Sequence, residues 1–172
     1  MSGAGNLVAI YPGSFDPVTL GHEDIVQRTL CVADRVVVAV AHSSTQSKRQ
    51  LFSVEERVQL LQEVFQDEAR VECTSFEGLL VDFARARGAR FMIRGLRAVS
   101  DFEYEFQMAQ MNRQLWPGAE TLFLMPDVSY AFLSSSLVRE VAVLGGDISR
   151  FVSPLVARGI RRKLENHRRA EE

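Results

Sequence analysis

Several short, almost unbroken apolar runs constrain the fold of this chain more than any other feature. Residues 36–40, for example, read Val-Val-Val-Ala-Val. An unbroken run suits a strand covered by helices on both faces, whereas a half-exposed antiparallel strand would alternate apolar and polar residues. The predicted strands are Leu7–Tyr11, Arg35–Ala41, Val71–Ser75, Phe91–Arg94 and Thr121–Met125. Together they indicate a parallel α/β sheet.

Segments with helical spacing lie between these strands. One segment carries apolar residues at i, i+4, i+7 and i+11, namely Val54, Val58, Leu61 and Phe65. Ser53 and Glu56 have the spacing of a capping box at its start. A second capping box, Ser100 with Glu103, predicts a helix that ends near Trp116.

The alternation of strands and helices predicts the fold class. A last helix is predicted to begin at Ser153–Pro154, and no linker, repeat or low-complexity stretch divides the 172 residues. We therefore expect one domain, residues 1–172, with a Rossmann-like, doubly wound, parallel five-stranded sheet and helices on both faces. Ligands of such sheets bind beyond the carboxyl ends of the strands, so the residues that follow each strand are the candidates for function.

Composition excludes several classes of protein. With 20 Lys and Arg against 22 Asp and Glu, the chain has no general positive field for nucleic acid. Cys31 and Cys73 match neither a disulfide framework nor a zinc site. The segment before Pro12 carries no Lys or Arg and does not resemble a signal peptide, and no apolar run could span a membrane. Arg161–Arg169 is interrupted by Glu165, which favours a solvated helix end over an RNA-binding arm. We expect a soluble cytoplasmic protein.

A loop rich in glycine and proline follows the first predicted strand. It contains Gly13 and Gly21 and brings His22 to the start of a helix. Helix N-termini bind anions through their free N–H groups and dipole, and glycine lets backbone approach a phosphate. The alternative interpretation is a tight turn whose histidine only caps the helix. The loop lacks GxxxxGK[ST] and GxGxxG, which argues against a P-loop NTPase and a dinucleotide-binding oxidoreductase.

Cations follow two other predicted strands. Lys48 and Arg49 end the polar loop after the second strand, and Arg94 and Arg97 flank a glycine turn after the fourth. Guanidinium groups bind phosphate with paired donors. Solvated surface charges are the alternative for Lys48 and Arg49. Ion pairing is the alternative for the two arginines, with three candidate carboxylates: Asp101, Glu103 and Glu105. Their shared sheet edge with His22 favours a phosphate site.

Three serines, Ser134–Ser136, follow the fifth predicted strand at the start of another helix. An N-cap requires only one of them. The remaining hydroxyl and N–H groups would suit a polyphosphate, and Tyr130 could stack on a base. A flexible cap is an equal alternative.

The helix predicted from Ser100 has two neighbouring apolar stripes. They consist of Phe102, Phe106 and Ala109, and of Tyr104, Met108, Met111 and Leu115. This is more apolar width than one core contact needs, so association through this helix is expected.

Five motifs occur in order along the chain: PGSFDP, TLGH, RGLR followed by DFEYE, MNR and LSSS. With them the sequence closely resembles the bacterial phosphopantetheine adenylyltransferases, over roughly Val8 to Ser149. TLGH is similar to the HxGH signature of the nucleotidyltransferase superfamily and is weak alone. RGLRAVSDFEYE is far more specific, and it separates this family from its relatives.

The resemblance implies a role for each matching residue. The implied catalytic residues are His22, which stabilises the transition state, Lys48 and Arg97. The residues implied for the acceptor are Ser14, Lys48, Leu80 and Arg94. The residues implied for ATP are Ser14, Phe15, His22, Gly95, Leu96, Arg97, Glu105, Tyr130, Ala131, Phe132, Leu133, Ser134, Ser135 and Ser136. Lys48 is preferred to Arg49 for the acceptor phosphate, and Leu80 to Leu79 by register alone.

The resemblance also implies the reaction and its partners. Family members transfer AMP from ATP to 4'-phosphopantetheine by direct in-line attack, giving dephospho-coenzyme A and pyrophosphate. Mg²⁺ is implied with ATP, held by phosphates and water with no dedicated protein ligands. Dephospho-coenzyme A and coenzyme A are further implied ligands, and a homohexamer is the implied assembly.

Two alternatives to this reaction are considered. One is another enzyme of the superfamily, with nicotinamide mononucleotide or glycerol phosphate as acceptor, and RGLRAVSDFEYE argues against it. The other is a non-catalytic nucleotide-binding module, which would need no acceptor-phosphate site. Lys48 and Arg94 beside His22 argue for an enzyme.

Overall fold

A computed structural model describes residues 7–42, 50–97 and 99–171 of the chain. The strands are β1 (Val8–Gly13), β2 (Arg35–Ala41), β3 (Val71–Phe76), β4 (Phe91–Gly95) and β5 (Glu120–Leu124). The helices are α1 (Leu20–Thr29), α2 (Val54–Val64), α3 (Leu80–Ala86), α4 (Val99–Leu115), α5 (Ser135–Val143) and α6 (Pro154–Glu171). The five strands pair in parallel in the order β3-β2-β1-β4-β5. The predicted doubly wound, Rossmann-like sheet is confirmed.

Helices cover both faces of the sheet. Val36 and Val38 of β2 point to the larger core, where residues of α1, α2, α5 and α6 pack. Val37 and Ala39 point to the opposite face, where they pack with residues of α3. All four side chains are at most 2% exposed. Because both faces are buried, the strand is apolar at every central position.

The predicted strand boundaries agree closely with the observed ones. Four of the five strands begin and end within one residue of the prediction. The exception is β1, which continues two residues further, because Pro12 and Gly13 extend the parallel pairing with Ala39 and Val40 of β2. The strand thus delivers its last residues directly to the edge of the sheet where ligands bind.

The helix starts were predicted with mixed success. In the capping box of α2, the N–H of Ser53 donates to Glu56 Oε2 at 2.7 Å and the N–H of Glu56 donates to Ser53 Oγ at 3.2 Å. The N-cap prediction for Ser100 is wrong, because α4 begins one residue earlier, at Val99. No helix was predicted at α3, which has 7 residues and whose N-cap, Leu79, makes no side-chain capping bond.

The strand order reverses between β1 and β4. From β1 the chain adds β2 and then β3 on one side, and it crosses back to place β4 and β5 on the other. The helices that follow the two central strands therefore diverge, and a crevice opens beyond their carboxyl ends. In sheets of this class, such a switch point is where ligands bind.

One helix leaves an apolar face in contact with solvent. Six apolar side chains of α4 are between 40% and 63% exposed: Phe102, Tyr104, Phe106, Met108, Met111 and Leu115. An apolar patch of this kind is unusual on a monomer. None of the described helices is long and apolar enough to cross a bilayer.

Candidate active site

A cavity of about 850 Å³ lies at the carboxyl ends of β1 and β4. Its walls come from the loop after β1, the first turns of α1, the end of β4, one side of α4 and the segment that leads into α5. The volume is typical of sites that bind cofactors and small molecules. The cavity brings together 12 of the predicted residues: Ser14, Phe15, His22, Arg94, Gly95, Arg97, Glu105, Tyr130, Leu133, Ser134, Ser135 and Ser136.

The histidine at the start of α1 is held by a capping box. Thr19 is the N-cap, and its hydroxyl accepts a hydrogen bond from the N–H of His22 at 3.4 Å. The backbone N–H of Thr19 donates in return to His22 Nδ1 at 3.0 Å. Because a backbone N–H can only donate, Nδ1 is the acceptor, and the proton of the neutral ring is on Nε2. The cap that begins the helix therefore also fixes the tautomer.

The surroundings of His22 keep its ring uncharged. The ring lies edge-on to Phe15, with 5.1 Å between centroids, and tilted against Tyr11 at 6.3 Å. Burial, and then the positive charges of Arg97 and Arg94, lower the pKa of His22 from 6.5 to about 4. At neutral pH, His22 is thus a neutral hydrogen-bond donor with its free N–H on Nε2.

The loop after β1 has an uncommon backbone conformation at Phe15. The φ angle of this residue is 46°, in the left-handed region that residues other than glycine rarely adopt. Its ring folds back beneath the loop and is 1% exposed. A Cβ at Gly13 would lie 2.9 Å from that ring. The packing of the Phe15 ring therefore requires a glycine at position 13. This reason for the glycine is separate from the one expected from the sequence, which was to let the backbone approach a phosphate.

Arg94 is fixed at the end of β4 by three hydrogen bonds. Two join it to Glu105 of α4, at 2.7 Å from Nε to Oε2 and at 2.5 Å from Nη2 to Oε1. A third runs from Nη1 to the carbonyl oxygen of Pro12 at 3.0 Å. Burial alone would lower the pKa of Arg94, but the hydrogen bond and charge of Glu105 outweigh it and raise that pKa. The ion-pair alternative is thus confirmed for this arginine, which also lines the cavity.

Arg97 connects the turn after β4 to the segment before α5. Its Nε donates to Asp101 Oδ2 at 3.2 Å, and its Nη1 donates to the carbonyl oxygen of Leu133 at 3.0 Å. The second bond holds the serine segment against the β4 turn. Arg97 therefore links two walls of the cavity.

Each of the three serines has a hydrogen bond of its own. Ser134 is the N-cap of α5 and accepts a bond from a first-turn N–H. The hydroxyl of Ser135 donates to the carbonyl oxygen of Pro17 at 2.7 Å, and the hydroxyl of Ser136 accepts from Arg139 at 3.3 Å. Only Ser134 is explained by capping. Ser135 joins α5 to the loop after β1, whereas the Ser136 bond stays within α5. The first-turn N–H groups point out of the helix end, where anions bind.

Comparison with known proteins identifies the family. Residues 10–141 match the cytidylyltransferase-like family model. The phosphopantetheine adenylyltransferase of Alkalilimnicola ehrlichii is 57% identical over 157 residues, which cover 91% of this chain and 90% of that protein. The phosphopantetheine adenylyltransferase of Thiobacillus denitrificans is 53% identical and covers 94% of this chain and 99% of its own. The chain belongs to the phosphopantetheine adenylyltransferase family.

Solved structures with the same fold are much less similar in sequence. A putative nicotinate-nucleotide adenylyltransferase from Vibrio parahaemolyticus has a TM-score of 0.64 at 18% identity and covers 94% of this chain and 93% of its own. The nicotinic acid mononucleotide adenylyltransferase of Plasmodium falciparum, complexed with NaAD, has a TM-score of 0.66 at 16% identity, with coverages of 92% and 96%. At such identity the likeness shows the fold alone.

Some residues implied by the phosphopantetheine adenylyltransferase motifs are not part of the cavity wall. Lys48 and Arg49 lie outside the described residues. Leu80 is the first residue of α3 and packs against the core on the far face of the sheet, whereas Leu79 is 53% exposed. Three predicted ATP residues adjoin the wall without lining it: Leu96, Ala131 and Phe132.

Two residues that the sequence interpretation missed, Asp16 and Arg139, hold the loop after β1. Asp16 is 2% exposed, and its carboxylate accepts from the N–H groups of Leu51 and Phe52 at 3.0 and 2.9 Å. It also accepts from Arg139 Nη1 at 3.2 Å. Arg139 follows Ser136 by three residues and so shares a face of α5 with it, a spacing that could have identified it.

The described part of the cavity wall offers no free carboxylate cage for a metal ion. No group of three or more His, Cys, Asp or Glu side chains suited to a metal occurs within residues 7–42, 50–97 and 99–171. The two carboxylates of the cavity wall are engaged, Asp16 with backbone N–H groups and Arg139, and Glu105 with Arg94.

The low pKa of His22 predicts how stability depends on pH. The unfolded histidine takes up a proton near pH 6.5 and the folded one only near pH 4, so the unfolded state binds more protons between these values. Stability should therefore fall as the pH is lowered through this window. His22→Gln removes the titrating ring, while glutamine at this position preserves the capping box. Urea unfolding at pH 7 and pH 4.5 should show a smaller acid loss for the variant, and equal losses would contradict the assigned environment.

Proposed function

We propose that this chain transfers the adenylyl group of ATP to 4'-phosphopantetheine, giving dephospho-coenzyme A and pyrophosphate. The observation that carries the proposal is the identity of 51% to 57% with proteins named phosphopantetheine adenylyltransferase, over at least 91% of the chain. The cavity supports it, because fixed cations and N–H donors surround a volume suited to a nucleotide. The identity to these relatives and the cations of the cavity also support pyrophosphate as the leaving group.

The reaction is a single in-line displacement. A phosphate oxygen of the acceptor forms a bond to the α-phosphorus of ATP, the bond from that phosphorus to the bridging oxygen breaks, and its electrons leave with pyrophosphate. Negative charge grows on the α-phosphoryl oxygens and on the leaving group during this step. Catalysis then consists of positioning and of donors that are already oriented.

His22 is proposed as the donor to the α-phosphoryl oxygens. Its Nδ1 is occupied by the Thr19 N–H, so its Nε2–H is free to donate. Because the ring is neutral, it donates a hydrogen bond without becoming a competing acid for the acceptor phosphate. Phe15 and Tyr11 pack against the ring and limit its rotation.

Arg94 is proposed to bind the acceptor phosphate, with Lys48 as a second cation. Among the described residues, the bonds of Arg94 to Glu105 and Pro12 use three of the five N–H groups of a guanidinium. The other two remain for a phosphate oxygen. Glu105 therefore orients the guanidinium and leaves it able to bind. Lys48 rests on the family motif alone.

ATP is proposed to lie between α1 and the segment before α5. Tyr130 packs on the first turn of α1, since a Cβ at Gly21 would be 3.4 Å from the Tyr130 Cβ, and its ring is the candidate surface for the base. The N-terminal turn of α5 and Arg97 are the candidates for the polyphosphate. Ser14 lies between the two ligands, next to His22 in the cavity wall.

Mg²⁺ is proposed to enter with ATP. The engaged carboxylates of Asp16 and Glu105 fit a metal held mainly by phosphate oxygens and water, the arrangement that Mg²⁺ prefers. When bound, the ion would offset charge on the polyphosphate. The protein groups described above would bind and orient the substrates around it.

A homohexamer is proposed as the assembly. The exposed apolar face of α4 supports association, and β5 beside it is an edge strand of the sheet. A particle mass of 19.3 kDa, that of the single chain, in light scattering would contradict it. Dephospho-coenzyme A as product, and coenzyme A, are proposed as further ligands of the acceptor side.

We assign the activity to the cytoplasm. The described cysteines, Cys31 and Cys73, are both free, which suits a reducing compartment. Fractionation of cells that express the chain tests this assignment, and recovery in an oxidising compartment would contradict it.

The acceptor can be tested directly. With ATP and Mg²⁺, 4'-phosphopantetheine should drive rapid pyrophosphate release, while nicotinamide mononucleotide and glycerol phosphate should not. Pantetheine, which lacks the attacking phosphate, is the matched control and should be inactive. Activity on nicotinamide mononucleotide or glycerol phosphate, with none on 4'-phosphopantetheine, would assign the chain to a different reaction of the superfamily.

The role of Arg94 predicts a selective loss of acceptor binding. Arg94→Ala should weaken binding of 4'-phosphopantetheine by about 1.5 to 3 kcal/mol, the range for a hydrogen bond to a charged group, with a smaller effect on ATP. Calorimetry with each ligand measures both. Arg113→Ala is the control, because Arg113 pairs with Glu120 at 3.7 Å on the surface. Lost ATP affinity with unchanged acceptor affinity would reverse the assignment.

A further inference from the structure

Side chains from other elements bind four carbonyl oxygens at the end of β1 and in the loop after it. These are the oxygens of residues 12, 14, 16 and 17. Their donors, in the same order, are Arg94, Arg57, Arg139 and Ser135. Carbonyl oxygens carry partial negative charge, so a phosphate is repelled by any that face it. Holding the Ser14 oxygen by a donor elsewhere leaves the other edge of that peptide, which carries the Phe15 N–H, for the ligand.

Arg57 differs from the other three donors because it is not in the cavity wall. It lies on α2 and is 1% exposed, the largest of the fully buried side chains. Its guanidinium donates to the Ser14 oxygen at 2.8 Å, to Gln50 Oε1 at 3.1 Å and to the Ser53 oxygen at 3.2 Å. All three partners are neutral. Among the described residues Arg57 makes no ion pair, although the carboxylates of Asp16 and Glu55 act on its charge without contacting it.

The bond to Ser14 orients the next peptide group. In a planar trans peptide the C=O of one residue and the N–H of the next point in opposite directions. Arg57 binds the Ser14 oxygen from behind the loop, so the N–H of Phe15 points to the front, where the loop lines the cavity. No acceptor for that N–H occurs among the described residues. The left-handed φ of Phe15 accompanies this orientation.

We propose that Arg57 is a positioning residue for adenylyl transfer, which turns the Phe15 N–H toward the phosphates of ATP and adds a buried positive charge behind the loop. This inference rests on the proposed function. Arg57 acts through Ser14 and does not touch the substrate. The sequence carries a signal for it, since Arg57 lies on the apolar stripe of α2 between Val54 and Leu61, where a cation is unexpected.

If the role of Arg57 were purely structural, the residue would only hold α2 against the loop after β1. The two roles differ in which ligands lose affinity. A positioning role affects ligands with phosphates, whereas general loosening of the site affects all ligands alike. ATP, inorganic pyrophosphate and adenosine are therefore the probes, and binding is measured without an acceptor. Because no acceptor is present, a wrong acceptor assignment would leave the measured affinities unchanged. The role of Arg57 and the proposed acceptor can therefore fail independently.

Arg57→Met keeps the length of the side chain and removes its charge and donors. We expect affinity for ATP and for pyrophosphate to fall about tenfold or more, the effect of losing a charge-assisted hydrogen bond, while adenosine binding stays within about threefold. Arg57→Lys, which keeps the charge and a donor, should recover most of the loss. Arg90→Met is the matched control, because Arg90 also donates to a carbonyl, that of Gly118 at 3.2 Å, away from the cavity.

Thermal unfolding of each variant is recorded before binding. If Arg57→Met is unfolded, Arg57→Gln takes its place, since glutamine keeps one donor and loses the charge, and about a fivefold selective loss is expected. A folded variant with wild-type affinity for ATP and pyrophosphate would overturn the proposal. Equal losses of affinity for ATP and for adenosine would also overturn the proposal and would show that Arg57 has only a structural role.

Discussion

The backbone of Thr19 and the ring of His22 form the contact on which the site depends. The N–H of Thr19 is one of the groups that a helix start leaves without a partner, and the ring nitrogen Nδ1 accepts it. The hydrogen bond that caps the helix therefore also selects the tautomer of His22. Since the ring is also buried among Phe15 and Tyr11, it stays neutral with a free Nε2–H. A glutamate at this position would cap the helix equally well but would add negative charge at the proposed phosphate site.

The walls of the cavity are connected before any substrate binds. Arg97 joins the turn after β4 to the segment before α5, and Ser135 joins α5 to the loop after β1. Arg94 is oriented by Glu105 of α4, the helix that also carries the exposed apolar side chains. Donors arranged in this way need little reorganisation as charge develops, which is the main source of catalysis where the protein supplies no nucleophile. The same connections show that the fold already holds the cations to which the proposed function assigns the phosphates.

Much of the fold could be predicted from the sequence, because strands buried on both faces leave unbroken apolar runs such as residues 36–40. The short helix α3 could not, since its 7 residues show little periodicity and no capping side chain. Motifs located most of the cavity wall, but Asp16, Arg57 and Arg139 were missed. Their partners lie 36, 43 and 123 residues away in sequence, so their bonds depend on the assembled sheet.

The central claim is that His22 is a fixed donor to charge that develops during transfer, and its removal tests this most directly. Replacing His22 by alanine should lower kcat by about 10² to 10³ and change ATP affinity only a few-fold, because the donor acts mainly in the transition state. His22→Gln, which retains the capping box, shows how much of the loss comes from the helix start. A folded His22→Ala variant with near wild-type kcat, or one with unchanged kcat at saturation and greatly weakened ATP binding, would contradict the account.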